Sequence, residues 1–311
     1  MKFWIGAGVV LLAGIGLPLA PVINEYVFYA GYMVLTFVVL ATAWNILGGY
    51  AGYVNFGPPA FFGAGAYAAV VLFKWLQAPL AVQIVGAAAV AGLLGFGVGL
   101  LTLRLRGIFF AIATVAVVFI METLMVNWRY VGGATGLQLL RPPVELFDSY
   151  TRMLFAVMAV MSVAAVAIAR YIQVSWLGRG LRALRDSEEA AESTGVPTLK
   201  LKLFACTVSG ALMGAAGAPM PMYLSFIEPA STFNLSYTVG SLGGAIIGGM
   251  SHWLGPIVGA ILLGTLQQVV TVTISNEMNV LVVGVLLVFF VVAAPEGIVG
   301  LFLRIKKAIR K

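Results

Sequence analysis

The sequence predicts an all-α integral membrane protein with about ten transmembrane helices. Of its 311 residues, 61% are hydrophobic and only 9% are charged, and the mean hydropathy is +1.04. A globular domain is usually about a quarter charged and about half apolar, so this chain must place its apolar surface in lipid. One bilayer crossing takes about 20 residues, which leaves little chain for anything else. A separate soluble catalytic or nucleotide-binding domain is therefore excluded, and residues 1–311 are predicted to form a single transmembrane domain.

Ten apolar stretches are the candidate helices. They lie at residues 3–20, 27–47, 57–73, 80–103, 107–126, 151–172, 201–222, 232–250, 254–274 and 278–294. A second long stretch follows the first within a few residues, so the first is interpreted as a retained helix and not as a cleaved signal. Glycines interrupt the third and eighth stretches, and broken or re-entrant segments stay open as alternatives there.

The distribution of lysine and arginine predicts the orientation. The formal net charge is +7, and the basic residues concentrate in loops that alternating crossings place on one side. Basic loops stay in the cytosol in multi-pass proteins, so both termini are predicted to be cytosolic. By the same rule, residues 173–200 form a cytosolic loop and residues 295–311 a basic cytosolic tail, whereas residues 127–150 form an external loop.

The sequence offers little for a metal or redox site. The chain has one cysteine and one histidine, which excludes a disulfide framework, a cysteine-rich zinc site and an iron–sulfur cluster within one chain, and argues against a histidine-ligated catalytic metal. It also has no P-loop of the form G-x-x-x-x-G-K-S/T. We therefore predict no catalytic residue, no metal and no cofactor in this chain.

The longest cytosolic loop, residues 173–200, is predicted to contain a short amphipathic helix. Its charged positions share one helical face, at Arg179, Arg182, Arg185 and Glu189. Its apolar positions fall on another face, at Leu181, Leu184 and Ala191. Gly195 is predicted to end the helix, with Pro197 just beyond as a stop. Such a helix is typical of a docking surface for a soluble partner; the alternative is an interfacial helix on lipid headgroups, which its acidic residues disfavour.

A faint internal repeat is also present. Gly48-Gly49, Gly57-Pro58 and Gly63-Ala64 are echoed by Gly248-Gly249, Gly255-Pro256 and Gly259-Ala260. Duplicated halves are common in transporters. With 37 glycines in the chain, chance matching is the alternative.

Several motifs, taken together and in order, resemble one family. They are RALRDSEEAAESTGV at residues 182–196, NILGGYAGYVNFG at 45–57, AFFGAGAY at 60–67, RGIFFA at 106–111, GGATGL at 132–137, LGP at 254–256 and PEG at 295–297. Across nearly the whole chain, this set resembles the permease subunits of branched-chain amino acid ABC importers, the LivM-like class. The chain departs from the family at Pro58-Pro59, where a histidine often follows Phe-Gly, and this favours a backbone role at a helix start.

The resemblance implies an importer made of several subunits. This chain would pair as a heterodimer with a second related permease, and the complex would include two cytosolic ATPase subunits that bind ATP and Mg, and a periplasmic or surface solute-binding protein. The location implied is the bacterial inner membrane, which makes residues 127–150 a periplasmic loop. Branched-chain amino acids or related solutes are the implied cargo, and nucleic acid is not an expected partner.

The resemblance also implies a role for the cytosolic helix as a coupling helix. The residues expected to contact the ATPase or set its geometry are Arg182, Arg185, Asp186, Glu188, Glu189, Ala190, Ala191 and Gly195. Glu188 and Glu189 are expected to meet basic groups of the ATPase. The alanines would keep that contact close, and Gly195 would set the turn.

Polar residues of the 45–57 motif and of the glycine-rich eighth stretch are candidates for the solute path. They are Asn45, Tyr53, Asn55, Ser236, Thr238 and Ser241. Each of them also fits the plainer role of a satisfied hydrogen bond between helices.

Two other functions are weighed against the importer. An ion-coupled secondary transporter of small neutral solutes would need acidic or histidine relays within the spans, and Glu122 is the one acid well inside a predicted span. A membrane-embedded enzyme acting on lipid-linked substrates would need a cluster of titratable groups near one interface. Glu145, Asp148 and Arg152 come nearest to such a cluster, but they are interpreted as a solvated contact for a binding protein.

Overall fold

The computed structural model describes residues 2–20, 23–102, 104–105, 107–141, 147–273, 276–294 and 296–309. Some predicted features lie outside these ranges, namely Arg106 and Pro295 of the motifs, residues 142–146 of the external loop, and residues 310–311 of the tail. Most of the remaining tail is helical.

Helices account for nearly all of the described chain. They are α1 (Lys2–Gly16), α2 (Glu25–Asn45), α3 (Pro58–Leu76), α4 (Leu80–Thr102), α5 (Ile108–Asn127), α6 (Tyr150–Val174), α7 (Trp176–Asp186), α8 (Glu188–Ser193), α9 (Thr198–Gly217), α10 (Met220–Leu224), α11 (Pro229–Thr232), α12 (Ser236–Gly248), α13 (Gly255–Thr273), α14 (Asn276–Ala293) and α15 (Gly297–Ile309). A π-helical turn, Ile46–Tyr50, extends α2. Two short strands, β1 (Leu137–Gln138) and β2 (Phe226–Ile227), pair antiparallel with Leu137 opposite Ile227.

Each predicted apolar stretch corresponds to a helix, but not all of these helices are long enough to cross a bilayer alone. Among the described residues, eight helices are long and apolar enough to do so by length and composition. The first predicted stretch gives only a shorter apolar helix, Trp4–Leu19, and the eighth gives α12, with 13 residues. The predicted count of ten is therefore not confirmed. Helix α12 is short because Thr232 is the last residue of α11 and residues 233–235 form a turn, and because Gly249 leaves the helix at φ +107°.

The third stretch, in contrast, forms one unbroken helix. Helix α3 begins directly after Gly57, with Pro58 and Pro59 in its first turn, where the missing proline N–H is not needed. The predicted backbone role of these prolines is confirmed. Helix α13 begins in the same way at Gly255-Pro256, so the two Gly-Pro pairs of the predicted repeat occupy equivalent helix starts.

Helix α2 lies at the centre of the bundle. It packs against α6, α9, α12 and α13, and residues 38–45 at its end are all buried. Helix α9 packs along α3 and α4, whereas α12 packs along α13. Helix α6 runs from one end of the bundle to the other and leads directly into α7. The end that carries α7 and α8 is called the α7–α8 face below, and the other end the opposite face.

A buried arginine organises the opposite face. The guanidinium of Arg152, at the start of α6, binds Glu25 at 2.7 Å and Asp148 at 3.1 Å, and its side chain is only 6% exposed. The expectation that Arg152 is a solvated contact for a binding protein is therefore wrong. Its charge is used within the chain to join α6 to the start of α2.

Candidate functional site

The predicted amphipathic helix is two helices joined at Ser187. The backbone of Ser187 is extended, and its hydroxyl accepts a hydrogen bond from the N–H of Ala190 at 3.3 Å. Serine is a favoured N-cap, and the acids that follow it, Glu188 and Glu189, suit a helix start. The expectation of one continuous helix is corrected: α7 ends at Asp186, and α8 starts at Glu188 in a new direction.

The apolar side of this helix pair is as predicted. Leu181 and Leu184 of α7 and Ala191 of α8 are each no more than 4% exposed. Leu181 and Leu184 pack into a cluster that includes side chains of α9 and the π-helical turn. The pair is thus seated on the bundle by its apolar side, which leaves the charged side outward.

Gly195 ends α8 as predicted. Its φ is +82°, a conformation that costs a residue with a side chain about 1–2 kcal/mol. The N–H of Val196 then binds the carbonyl of Ala191 at 3.0 Å, which closes the helix end. A Cβ at Gly195 would meet no atom within 4 Å, so glycine is needed here for its backbone and not for space.

Most of the other predicted coupling residues lie on the outer surface. Arg182, Asp186, Glu189 and Ala190 are exposed. The guanidinium of Arg185 is directed partly inward, because one nitrogen donates to the carbonyl of Gly49 at 3.1 Å. Ala191 is buried inside the chain, as described above.

Glu188 points into the protein. It forms an ion pair with Lys202 of α9, and the two side chains are 15% and 5% exposed. The hydroxyl of Tyr53 donates to its other carboxylate oxygen at 2.7 Å. The Lys202 ammonium also lies 5.1 Å from the centre of the Tyr53 ring. We call Glu188, Lys202 and Tyr53 the Glu188 cluster.

Tyr53 belongs to residues 52–57, which link α2 to α3 without helical structure. We call them the extended segment. Non-helical backbone between membrane helices needs partners for its polar groups, and side chains supply them. The indole N–H of Trp44 donates to the carbonyl of Asn55 at 2.7 Å, and the N–H of Gly57 donates to the Asn55 side chain at 2.7 Å.

The extended segment is also bound by two helices distant in sequence. The N–H of Phe56 donates to the hydroxyl of Thr114 in α5 at 3.0 Å. The hydroxyl of Thr238 in α12 donates to the carbonyl of Phe56 at 3.0 Å. One residue of the segment therefore joins α5 to α12.

The structure brings together some of the predicted path residues. Tyr53 and Asn55 lie in the extended segment, Thr238 binds it, and Ser241 lies one turn further along α12, where it donates to the Thr238 carbonyl at 3.0 Å. Ser236 lies apart, at the start of α12, and binds Asn234.

Asn45 differs from the other predicted path residues. It is 1% exposed, and within the described residues neither its amide nitrogen nor its amide oxygen has a partner at hydrogen-bond geometry, although the Tyr50 hydroxyl lies near enough to interact with it. It directly precedes the π-helical turn, and such turns are frequent at functional sites. A buried polar group without a partner calls for an explanation.

Sequence reasoning missed three residues of this region. The sequence does not single out Lys202, and it does not connect Thr114 and Trp44 with the other residues of this region. The available signals were a hydroxyl inside an otherwise apolar helix and a lysine at the start of a span. Neither signal specifies a partner.

No group of three or more histidine, cysteine, aspartate or glutamate residues that could hold a metal occurs within the described ranges.

The family model for the permease component of branched-chain amino acid transport systems matches residues 26–291 of the chain. The chain belongs to this permease family. This protein is therefore a transport component and not an enzyme, and its apolar helices make it a multi-pass membrane protein.

Individual relatives agree with the family. The high-affinity branched-chain amino acid transport system permease proteins LivM of Salmonella typhimurium and Escherichia coli are each 27% identical to this permease over 299 residues, covering 86% of this chain and 68% of theirs. The permease protein LivH of Escherichia coli is 22% identical over 289 residues, covering 85% of this chain and 91% of its own. These matches support a branched-chain amino acid permease over the ion-coupled alternative.

Proposed function

We propose that this permease forms one half of the translocation path of an ATP-driven importer for branched-chain amino acids. The observation that carries the proposal is the family match across residues 26–291. A second related permease would form the other half, as the similarity to both LivM and LivH suggests. Two ATPase subunits would bind ATP and Mg, and an external solute-binding protein would deliver the amino acid.

The positive-inside rule supports an orientation for the complex. It puts the α7–α8 face and both termini in the cytosol of a bacterium, and the opposite face outside the inner membrane. The α7–α8 pair would then project charged side chains toward a soluble ATPase. Arg182, Asp186, Glu189 and Ala190 are its exposed members, and we assign the direct contact to them.

Solute would pass near the extended segment and the end of α2. Within the described residues the buried amide of Asn45 makes no hydrogen bond of ordinary geometry, so it is the strongest of the predicted path residues. The amide oxygen of Asn55 and the hydroxyl of Thr238 are bound to the backbone of the extended segment. In our proposal they shape the path and do not contact solute.

The proposed function is tested by purification from the native membrane and by uptake. The tagged permease should be recovered with two ATPase subunits and a second permease, and the purified material should hydrolyse ATP. In vesicles, the complex with its binding protein should import labelled leucine. A permease recovered alone under every mild extraction condition would contradict the proposal and favour ion coupling around Glu122.

A charge reversal on α7 should release the ATPase subunits. Arg182→Glu is expected to lower their recovery about tenfold, because arginines at the centre of interfaces often dominate the binding energy. Arg129→Glu is the matched control, since Arg129 is also exposed but lies on the opposite face. Both variants should be made in equal amounts in the membrane. Equal ATPase recovery with both would show that α7 is not the docking surface.

Gly195 should be needed for coupling more than for folding. Gly195→Val is expected to lower import per ATP several-fold, because a β-branched residue resists a positive φ and would shift the end of α8. Gly195→Asn is the control, since asparagine tolerates this conformation. Import and ATP hydrolysis are measured in the same vesicles. Import at the parental rate by the valine variant, at normal expression, would refute this role.

A further inference from the structure

The Glu188 cluster joins three parts of the chain that are far apart in sequence. Tyr53 lies in the extended segment, Glu188 starts α8, and Lys202 lies in the first turns of α9. The two charged side chains are nearly removed from solvent. Each carboxylate oxygen of Glu188 binds a different partner, so the carboxylate holds α8 against both α9 and the extended segment.

Stability alone is a weak reason for this arrangement. Removing two charges from water costs about as much as their attraction returns, and apolar residues of similar volume often stabilise a protein as well or better. Apolar groups, however, slide over one another with little preference. Charged hydrogen bonds are directional and hold their partners in one register. The cluster is therefore suited to making α8 and the extended segment move together.

A second link runs beside the first. Gly52, at φ +79°, lies directly against Arg185, and a Cβ there would come within 2.7 Å of the Arg185 side chain. Arg185 also donates to the carbonyl of Gly49 in the π-helical turn. The last residues of α7 therefore contact both the π-helical turn and Gly52, the first residue of the extended segment.

The extended segment carries this connection into the bundle. Three residues after Tyr53, the N–H of Phe56 binds Thr114 of α5 and its carbonyl binds Thr238 of α12. Helix α3 then begins directly after Gly57. The segment is held by hydrogen bonds at two of its residues, Tyr53 to Glu188 and Phe56 to α5 and α12. Movement at Tyr53 would therefore reach three membrane helices.

Space for such movement lies next to the cluster. A cavity of about 360 Å³ is lined by Tyr53, Glu188 and Arg185 on one side and by Ile108 and Ala111 of α5 on the other. Close packing normally prevents side chains from changing position. The Tyr53 ring packs edge-on against Phe110 at the start of α5, with 5.2 Å between the ring centres, and the cavity beside this contact leaves room for the two residues to shift together.

We propose that Glu188, Lys202 and Tyr53 are positioning residues that transmit movement of the α7–α8 pair through the extended segment to α3, α5 and α12. The cluster does not contact the ATPase or the solute. In place of the expected contact between Glu188 and a basic group of the ATPase, Glu188 acts inside the permease. This inference rests on the proposed function and deepens it.

Tyr53→Phe is the most specific test, because it removes one hydroxyl and leaves the ring and the Glu188–Lys202 pair. The complete complex is purified and placed in vesicles, and leucine import, ATP hydrolysis and ATPase recovery are measured together. Import per ATP should fall about tenfold, the factor that corresponds to one hydrogen bond to a charged group. ATPase recovery and hydrolysis should stay near parental. Tyr171→Phe is the control, since Tyr171 is 71% exposed in α6, and it should change nothing.

A second variant covers the case in which Tyr53→Phe assembles poorly. Glu188→Gln keeps the size of the side chain but removes the charge that binds Lys202. It should also lower import per ATP while the subunits remain together. Parental import per ATP in both variants, or a loss of import that only matches a loss of assembled complex, would overturn the inference. Failure of the parental complex to import leucine would instead overturn the proposed function.

Discussion

Gly65→Ala is expected to abolish the folded permease, although it adds a single methyl group. Gly65 lies where α3 crosses α9, and a Cβ there would be 2.0 Å from the carbonyl oxygen of Gly214 and 2.5 Å from its Cα. Both atoms are backbone, so no side-chain rotation relieves the overlap. The helices would have to separate along their length. Overpacking a core costs about 1–3 kcal/mol and occasionally more, and this site belongs at the upper end.

The neighbouring contacts make separation costly. A Cβ on Gly217 would lie 2.1 Å from the Phe62 carbonyl oxygen, and one on Gly214 would lie 2.1 Å from the Ala91 Cβ. Helices in lipid associate through this kind of close backbone packing. Moving α9 away from Gly65 would therefore weaken its contacts with α3 and α4 together.

Size-exclusion profile and thermal midpoint in detergent measure the effect. Gly65→Ala should give aggregated or degraded material. Gly97→Ala on α4 is the matched control, because a Cβ at Gly97 meets no atom within 4 Å. That variant should run as parental protein with an unchanged or slightly higher midpoint. Equal size-exclusion profiles and thermal midpoints for the two variants would show that α3 and α9 are farther apart at Gly65 than in the structure.

The helices could be predicted from the sequence because lipid imposes a simple rule. A chain must satisfy its backbone within each span, so an apolar stretch in the membrane becomes a helix almost regardless of its glycines. Helix α3 follows this rule despite Gly63 and Gly65. Helix α12 is shorter than its stretch because a turn at residues 233–235 follows the small helix α11, and because Gly249 ends α12. A hydropathy profile does not predict where such turns and helix ends fall.

The candidate site was predicted less completely, because its decisive contacts are between residues far apart in sequence. Gly195 and the buried Leu181 and Leu184 follow from local pattern and were correct. The inward direction of Glu188 depends on Lys202 and Tyr53, and no periodicity relates these positions. The helix is interrupted at Ser187. The 3.6-residue period of α7 therefore does not continue into α8, and it cannot predict which way Glu188 points.

Among single substitutions on the opposite face, Arg152→Leu is expected to lower the stability of the protein most. The guanidinium binds Glu25 and Asp148, and it lies 5.0 Å from the centre of the Phe28 ring. It also donates to three backbone carbonyls, those of Pro18, Ala20 and Ile23. These carbonyls belong to the connection between α1 and α2. Leucine fills part of the volume but supplies no donor, so the carbonyls and two carboxylates lose their partner.

We expect a loss of about 3 kcal/mol, the lower end for breaking a buried ion pair, since both carboxylates stay partly in water. Arg152→Lys should recover only part of it, because one ammonium cannot reach groups that the planar guanidinium joins. Glu25→Gln is the milder control, because the Glu25 side chain is 52% exposed.

The location of the effect distinguishes this role from general damage. Helix α1 packs on α6, where a Cβ at Gly14 would lie 2.5 Å from the Ala159 Cβ, and Arg152 fixes the chain that follows α1. Hydrogen exchange in Arg152→Leu should therefore rise first in residues 2–20, while α9 stays protected. An unchanged thermal midpoint, or exchange that rises equally in α1 and α9, would contradict the view that Arg152 holds the first helix against the bundle.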